Sequence, residues 1–182
     1  MEKMIIGVLG LLLLLFLTAC SAADNDISMG TVDYHALSAY EKTYIGKNSD
    51  VGAILMKLPG SNILEEISLS ERNLAVLYDT NKIDKQKENT WYNKQSAVQK
   101  VFLHNILYLS ALITNEKNIT LTLQSDETEY NMELSSSDLE KFLNDDLEEK
   151  IKHEQGWNNF LEEELQAENQ QELVKEFPLD VQ

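Results

Sequence analysis

The sequence predicts an α+β fold in one domain: a small, mainly antiparallel sheet of about four strands packed against two longer helices. Three observations carry that expectation. Apolar and polar residues alternate in two closely spaced pairs of short segments, as half-buried hairpin strands require. The run from Tyr92 to Ile113 instead repeats its apolar residues at helical spacing. The 163 residues from position 20 to 182 suit a single domain with a real hydrophobic core.

Taken in order, Ser49 to Leu58 reads as a short helix, with Val51, Ile54, Leu55 and Leu58 on one face and Pro59-Gly60 ending it. Leu64 to Leu69 and Leu74 to Tyr78 read as a hairpin about the polar turn Ser70-Glu71-Arg72-Asn73. Asp79 to Thr90 has no period and reads as a loop long enough to be mobile or functional. The helix Tyr92 to Ile113 presents Val98, Val101, Phe102, Ile106, Leu109, Leu112 and Ile113 on one face, widened by Leu103 and Leu107, so a central, buried position is expected. After the turn Asn115-Glu116-Lys117-Asn118, Ile119/Leu121/Leu123 and then Tyr130/Met132/Leu134 alternate as a second hairpin. Ser137-Asp138-Leu139-Glu140 reads as a capping box opening another helix, with Leu139, Phe142, Leu143, Leu147 and Ile151 inward. Trp157, Phe160, Leu161 and Leu165 imply a last short helix. The expected organisation is a leader at 1–19, a tether at 20–36, the α+β domain at 37–165 and an acidic polar tail at 166–182.

The leader carries the clearest address. Residues 4–19 are an apolar stretch of 16, shorter than the roughly 20 a membrane-spanning helix needs. It ends in Leu17-Thr18-Ala19-Cys20-Ser21, and Cys20 is the only cysteine. Small residues before a cysteine, with leucine upstream, resemble the bacterial lipobox. That resemblance implies cleavage between Ala19 and Cys20 and a diacylglyceryl group on the Cys20 sulfur. Each buried methylene contributes about 0.8 kcal/mol, and two acyl chains anchor durably where one is marginal. The alternative is an uncleaved anchor helix; both readings leave the rest of the chain outside the cytoplasmic membrane. With its one thiol committed to lipid, the exported chain has no disulfide and depends on packing. Ser21 to Asp26 is small and polar, and a coil reaching residue 36 spans roughly 20 to 25 Å by square-root scaling.

Charge is distributed unevenly. The chain holds 31 acidic against 15 basic residues. From Asp126 to the end there are 18 acidic and four basic residues, whereas residues 21–125 are close to neutral. A field of that sign repels nucleic acid and favours cations or a basic protein or peptide partner. The same acidity on helical faces also serves solubility alone.

No motif implies a cofactor, a metal or a catalytic residue. Asp24-Asn25-Asp26-Ile27-Ser28-Met29-Gly30 opens like a calcium loop, but Met29 occupies the glycine turn and His35 the position of the bidentate glutamate. His153-Glu154 has no second histidine completing a zinc-protease helix, and His35, His104 and His153 are dispersed. No serine sits in a Gly-x-Ser-x-Gly elbow, and Ser135-Ser136-Ser137 is explained by capping. Asp145/Asp146 and Glu162/Glu163/Glu164 fall on a solvated helical pattern. Trp91-Tyr92 either anchors the long helix in the core or offers a stacking surface for a ligand.

Tyr40-Glu41-Lys42-Thr43-Tyr44-Ile45-Gly46-Lys47-Asn48-Ser49-Asp50-Val51-Gly52, followed by a short helix ending in Leu58-Pro59, resembles the opening of an extracytoplasmic domain known as domain of unknown function 4825. Leu109-Ser110-Ala111-Leu112-Ile113-Thr114-Asn115, running into a Thr-rich strand, resembles the long helix and exit turn of that domain. The resemblance spans about residues 36 to 150 and implies a Gram-positive exported or membrane-tethered protein without assigned catalytic residues. The expectation is a lipoprotein held to the outer face of the cell membrane through Cys20 and working as a non-enzymatic binding or accessory module. A small-ligand sensor or carrier is the alternative, and an envelope hydrolase the third reading.

Overall fold

Leu74, Val76 and Tyr78 on one strand, Ile119, Leu121 and Leu123 on the next, and Met132 and Leu134 on a third are all buried, while the residues between them are half-buried or exposed. That two-residue period gives the sheet one inner face, which the helices cover. The computed structural model describes residues 32–82, 91–125, 128–144, 159, 161 and 167–182; the leader, Cys20, Asp145/Asp146, His153, Trp157, Phe160 and Glu162 to Glu164 lie outside them.

Helix α1 is Tyr34–Ser38, capped by Asp33, whose carboxylate accepts from the Ala36 N–H at 3.1 Å. Helix α2 is Asn48–Leu55, with Val51, Ile54 and Leu55 inward. It stops a turn short of the Leu58 expected from the apolar pattern. Lys57 and Leu58 donate to carbonyls three residues back, Ile54 and Leu55, so the end winds tighter while Leu58 stays buried. Gly60, at φ +94°, then reverses the chain, and a Cβ there would sit 2.9 Å from the Tyr78 ring.

Strands β1 (Leu64–Ser70) and β2 (Asn73–Asp79) form the expected hairpin, with Glu71 at φ +54° in its turn. Helix α3, Gln95–Leu112, follows a single 3-10 turn at Trp91–Asn93. Every residue of α3 from Val101 to Leu112 is buried, the signature of a central helix enclosed on all sides. Strands β3 (Asn118–Gln124) and β4 (Glu129–Ser135) form the second antiparallel hairpin. The two hairpins join through a parallel β2–β3 ladder, and the connection containing α3 provides the crossover that a parallel pair requires. Helix α4 is Ser136–Leu143. Its capping residue is Ser135, not Ser137: the Ser135 hydroxyl accepts from the Asp138 N–H and the Asp138 carboxylate accepts from the Ser135 N–H, both at 3.1 Å. The box is shifted because Ser135, the last residue of β4, is already extended, as a cap must be.

The C-terminal residues depart from the expectation of a polar tail beginning at 166. Helix α5, Ala167–Glu176, packs against α3, and strand β5, Asp180–Val181, pairs with Asn131 and Tyr130 of β4 to complete a five-stranded sheet in the order β1-β2-β3-β4-β5. Leu173 and Leu179 are the buried anchors. The Gln99 amide on α3 donates to the carbonyls of Val174 and Phe177, both at 2.8 Å, so it closes the end of α5 in place of a glycine cap. Phe142 of α4 meets Phe177 with ring centroids 5.5 Å apart. Two leucines in a glutamate- and glutamine-rich segment suffice to dock it, and composition averages them away. The fold is a single α+β domain with a mostly antiparallel sheet. Among the described residues no helix is long and apolar enough to cross a membrane.

Candidate functional site

Two polar clusters inside the domain and a set of exposed carboxylates on its C-terminal elements are the places where this chain concentrates chemistry. The first cluster sits at the N-terminal ends of β2 and β3, where the loop before α2 meets the turn after α3. The Asn115 side-chain oxygen accepts from the Ile45 N–H at 2.7 Å across 70 residues of chain. The Thr114 N–H donates to the Thr43 carbonyl at 2.9 Å, and Thr43 and Ile113 form a short parallel bridge. Arg72, in the β1–β2 turn, donates from Nε to the Asn115 carbonyl at 2.7 Å, and its own carbonyl accepts from the Lys117 N–H at 2.6 Å. The loop is tied from its other end as well. The Thr43 hydroxyl donates to Asp50 at 3.0 Å, and Lys47 pairs with Asp50 at 2.6 Å, which holds the Asp50 carboxyl below its usual range and raises the Lys47 ammonium.

Glu116 lies inside this junction at 5% exposure. Ser136 donates to its carbonyl at 2.9 Å and faces its Oε1 at 3.3 Å, and the Ser136 N–H donates to the Lys117 carbonyl at 3.1 Å. Burial pushes the Glu116 carboxyl up to about 8, against smaller opposing effects from backbone and serine hydrogen bonds and from Arg72. At neutral pH it is therefore mostly a neutral acid, able to donate one hydrogen bond as well as accept. Sequence reading missed this residue. It stands in an Asn-Glu-Lys-Asn turn whose composition signals exposure, and only the docking of the α4 N-terminus over it removes it from water.

The second cluster lies at the opposite end of β2. Asn105, fully buried on α3, donates its amide to the Pro59 carbonyl at 2.8 Å and to the Tyr78 hydroxyl at 3.2 Å. Burial raises the Tyr78 phenol to about 12. His104, 8% exposed, lies beside Tyr108 with ring centroids 4.6 Å apart, and burial lowers its imidazole to about 4. It is a neutral packing group at physiological pH. Trp91 is buried edge-on to Tyr78 at 6.3 Å, so it anchors the start of α3, while Tyr92 is half-buried beside it. His35 is exposed on α1, far in sequence from His104. Among the described residues no group of three or more His, Cys, Asp or Glu is arranged to hold a metal ion.

The exposed carboxylates belong to the C-terminal elements. Glu133 of β4, Asp138 of α4, Glu172 and Glu176 of α5 and Asp180 of β5 are exposed, on secondary structure rather than on a coil.

The two segments joined by the Ile45–Asn115 hydrogen bond are the opening loop and the helix exit on which the family resemblance rests. A family model described as domain of unknown function (DUF4825) matches residues 37–134. No curated protein and no solved structure matches the chain. The match covers more than half of the sequence and closes just before the last residue of β4, leaving α4, α5 and β5 beyond it. With its opening loop, its long helix and both hairpins inside those bounds, this chain belongs to the DUF4825 family.

Proposed function

We propose that this protein is a surface lipoprotein, anchored through lipid on Cys20 at the outer face of the cell membrane, whose domain binds a basic protein or peptide without catalysing a reaction. The observation that supports the binding reading is the fixing of acidic side chains. Glu133 and Asp138 are exposed on β4 and α4, and Glu172, Glu176 and Asp180 are exposed on α5 and β5, which Leu173, Leu179 and the Gln99 bonds hold against the core. Carboxylates on folded elements present a partner with a preformed field and lose less backbone freedom on binding than those of a coil.

The anchor and the binding face are tested separately. In cells supplied with labelled palmitate, the native chain takes up label and the Cys20→Ser variant does not; label in the variant, or none in the native chain, refutes the anchor. For the face, the full chain is titrated with a fluorescent lysine-rich peptide and, as a control, a glutamate-rich one. The lysine-rich peptide is expected to bind, to weaken as salt rises, and to bind several-fold more weakly to a Glu172→Gln/Glu176→Gln/Asp180→Asn variant. Equal binding by native and neutralised chains defeats the reading.

A further inference from the structure

The three large hydrophobic side chains that stand exposed among the described residues are Tyr44 at 52%, Met56 at 61% and Val181 at 47%, and two of them flank α2. Tyr44 precedes the helix by one loop, its ring lying over Gly46 so closely that a Cβ there would sit 2.9 Å from it. Met56 closes the other end, about 12 Å away along the eight-residue helix axis. Val51, Ile54 and Leu55 face inward, and the opposite face carries Ser49, half-buried Ala53 and Met56, with no charge between them. Lysines frame this strip: Lys42 and Lys57 are exposed, Lys47 beside Tyr44 is paired with Asp50, and residues 41–57 hold three lysines against Glu41 and Asp50.

We infer that this α2 face, with Tyr44 and Met56 as its apolar contacts and Lys42 and Lys57 as its charged ones, rests on the phospholipid headgroups of the membrane that carries the anchor. The inference rests on the lipid-anchor reading and adds the orientation of the domain to it. Three features select a lipid surface as the occupant. Amphipathic tyrosine belongs at the headgroup level, and lysine at an anionic leaflet. Eleven residues separate Cys20 from Val32, where the described residues begin, and even fully extended they span at most about 40 Å, which keeps the start of the domain within reach of the bilayer. The sheet supplies the third. Position 52 of α2 packs toward Ile67 of β1, whereas Glu133, Glu172, Glu176 and Asp180 belong to or adjoin β4 and β5, at the other edge of the five strands. At about 4.8 Å per strand those edges are roughly 15 to 20 Å apart. An anionic leaflet attracts Lys42 and Lys57 and repels the carboxylates of the far edge, while Glu41, Glu65, Glu66 and Glu71 oppose contact of the near edge everywhere but at α2. Glu65 and Glu66 on β1 are exposed and confine the contact to α2 and the loop before it. The free affinity of so small a patch is weak, and the tether makes it effective by holding it at high local concentration.

The test uses the full lipidated chain in vesicles of phosphatidylglycerol and phosphatidylethanolamine. With Cys20 acylated, a Met56→Cys variant offers one thiol for an environment-sensitive fluorophore; Ser49→Cys is the second position on the strip and Glu172→Cys the far-edge control. Headgroup-attached nitroxide lipids are expected to quench positions 56 and 49 several-fold more than position 172, and Tyr44→Ser with Lys57→Gln is expected to remove that difference. Equal quenching at all three positions, or more at 172, overturns the orientation while flotation of the chain with the vesicles keeps the anchor. A native chain that fails to float overturns both.

Discussion

The two polar clusters at the ends of β2 show opposite ways of burying hydrogen-bonding groups. Around Asn105, a neutral amide meets a carbonyl and a phenol, and its two amide contacts are filled by uncharged partners. Around Glu116, hydroxyls and backbone meet an ionisable carboxyl, with no cation within ion-pairing distance of it among the described residues. The Asn105 amide does not titrate, so the bonds it makes are indifferent to pH, and the titrating ring beside it is His104, whose Nδ1 lies 3.5 Å from the Asn105 oxygen. The Glu116 cluster stabilises only while its carboxyl keeps a proton. A buried polar network is therefore sensitive to pH only through those of its members that titrate.

Breaking the Asn105 cluster is expected to have the largest effect. Asn105→Leu leaves the Pro59 carbonyl and the Tyr78 hydroxyl buried without their partner, and a loss of roughly 3 to 4 kcal/mol is expected in denaturant unfolding. A loss under 1 kcal/mol shows that water replaces the amide. Gly60→Ala attacks the same corner through the backbone. Its positive φ and the 2.9 Å approach to Tyr78 together are expected to cost about 2 to 3 kcal/mol.

The Glu116 cluster is sharpened by pH. Its carboxyl rises from 4.5 unfolded to about 8 folded, so its contribution is complete below pH 4.5 and drains away as pH climbs to about 8. His104 acts in the opposite sense, since a folded value of about 4 against 6.5 costs stability as pH falls from 6.5 toward 4. Where the two windows overlap, between 4.5 and 6.5, their slopes offset, and stability falls above 6.5 as Glu116 acts alone. Thermal melting across this range is expected to show that shape. Glu116→Gln should flatten the upper limb and raise stability at pH 9; an unchanged limb assigns the pH dependence to another group.

Smaller effects are expected where single caps are removed. Gln99→Ala frees the carbonyls of Val174 and Phe177, for about 1 to 2 kcal/mol, with faster amide exchange in residues 167–182 and little change in the strands β1 to β3. Ser135→Ala removes the hydroxyl half of the α4 capping box and is expected to cost about 1 kcal/mol, read as a modest shift in the melting midpoint.

Much of the scaffold was legible because local periodicity and burial coincide there. Leu74/Val76/Tyr78, Ile119/Leu121/Leu123 and Met132/Leu134 announce their strands, and the wide apolar face repeated at helical spacing along α3 announces a central helix. The candidate site was legible only in part. The loop Thr43 to Asp50 and the turn Thr114-Asn115 stood out as distinctive segments, yet nothing in either marks them as neighbours. Glu116 reads as a surface residue because turn composition reports local preference and not what folds over it. Ser135 lost the cap to Ser137 in the reading because three adjacent serines look alike until the end of β4 fixes which of them is extended.

The sequence by itself determined the alternation of sheet and helix, the central place of α3, the pooling of acidic residues after Asp126 and family membership, since each depends on the order of residue types along the chain. Tertiary structure alone decided the parallel joining of the two hairpins, the recruitment of residues 167–182 as α5 and β5, and the enclosure of Glu116. Those outcomes depend on contacts between segments tens of residues apart, where two buried leucines or one docked helix end outweigh the average character of the residues around them.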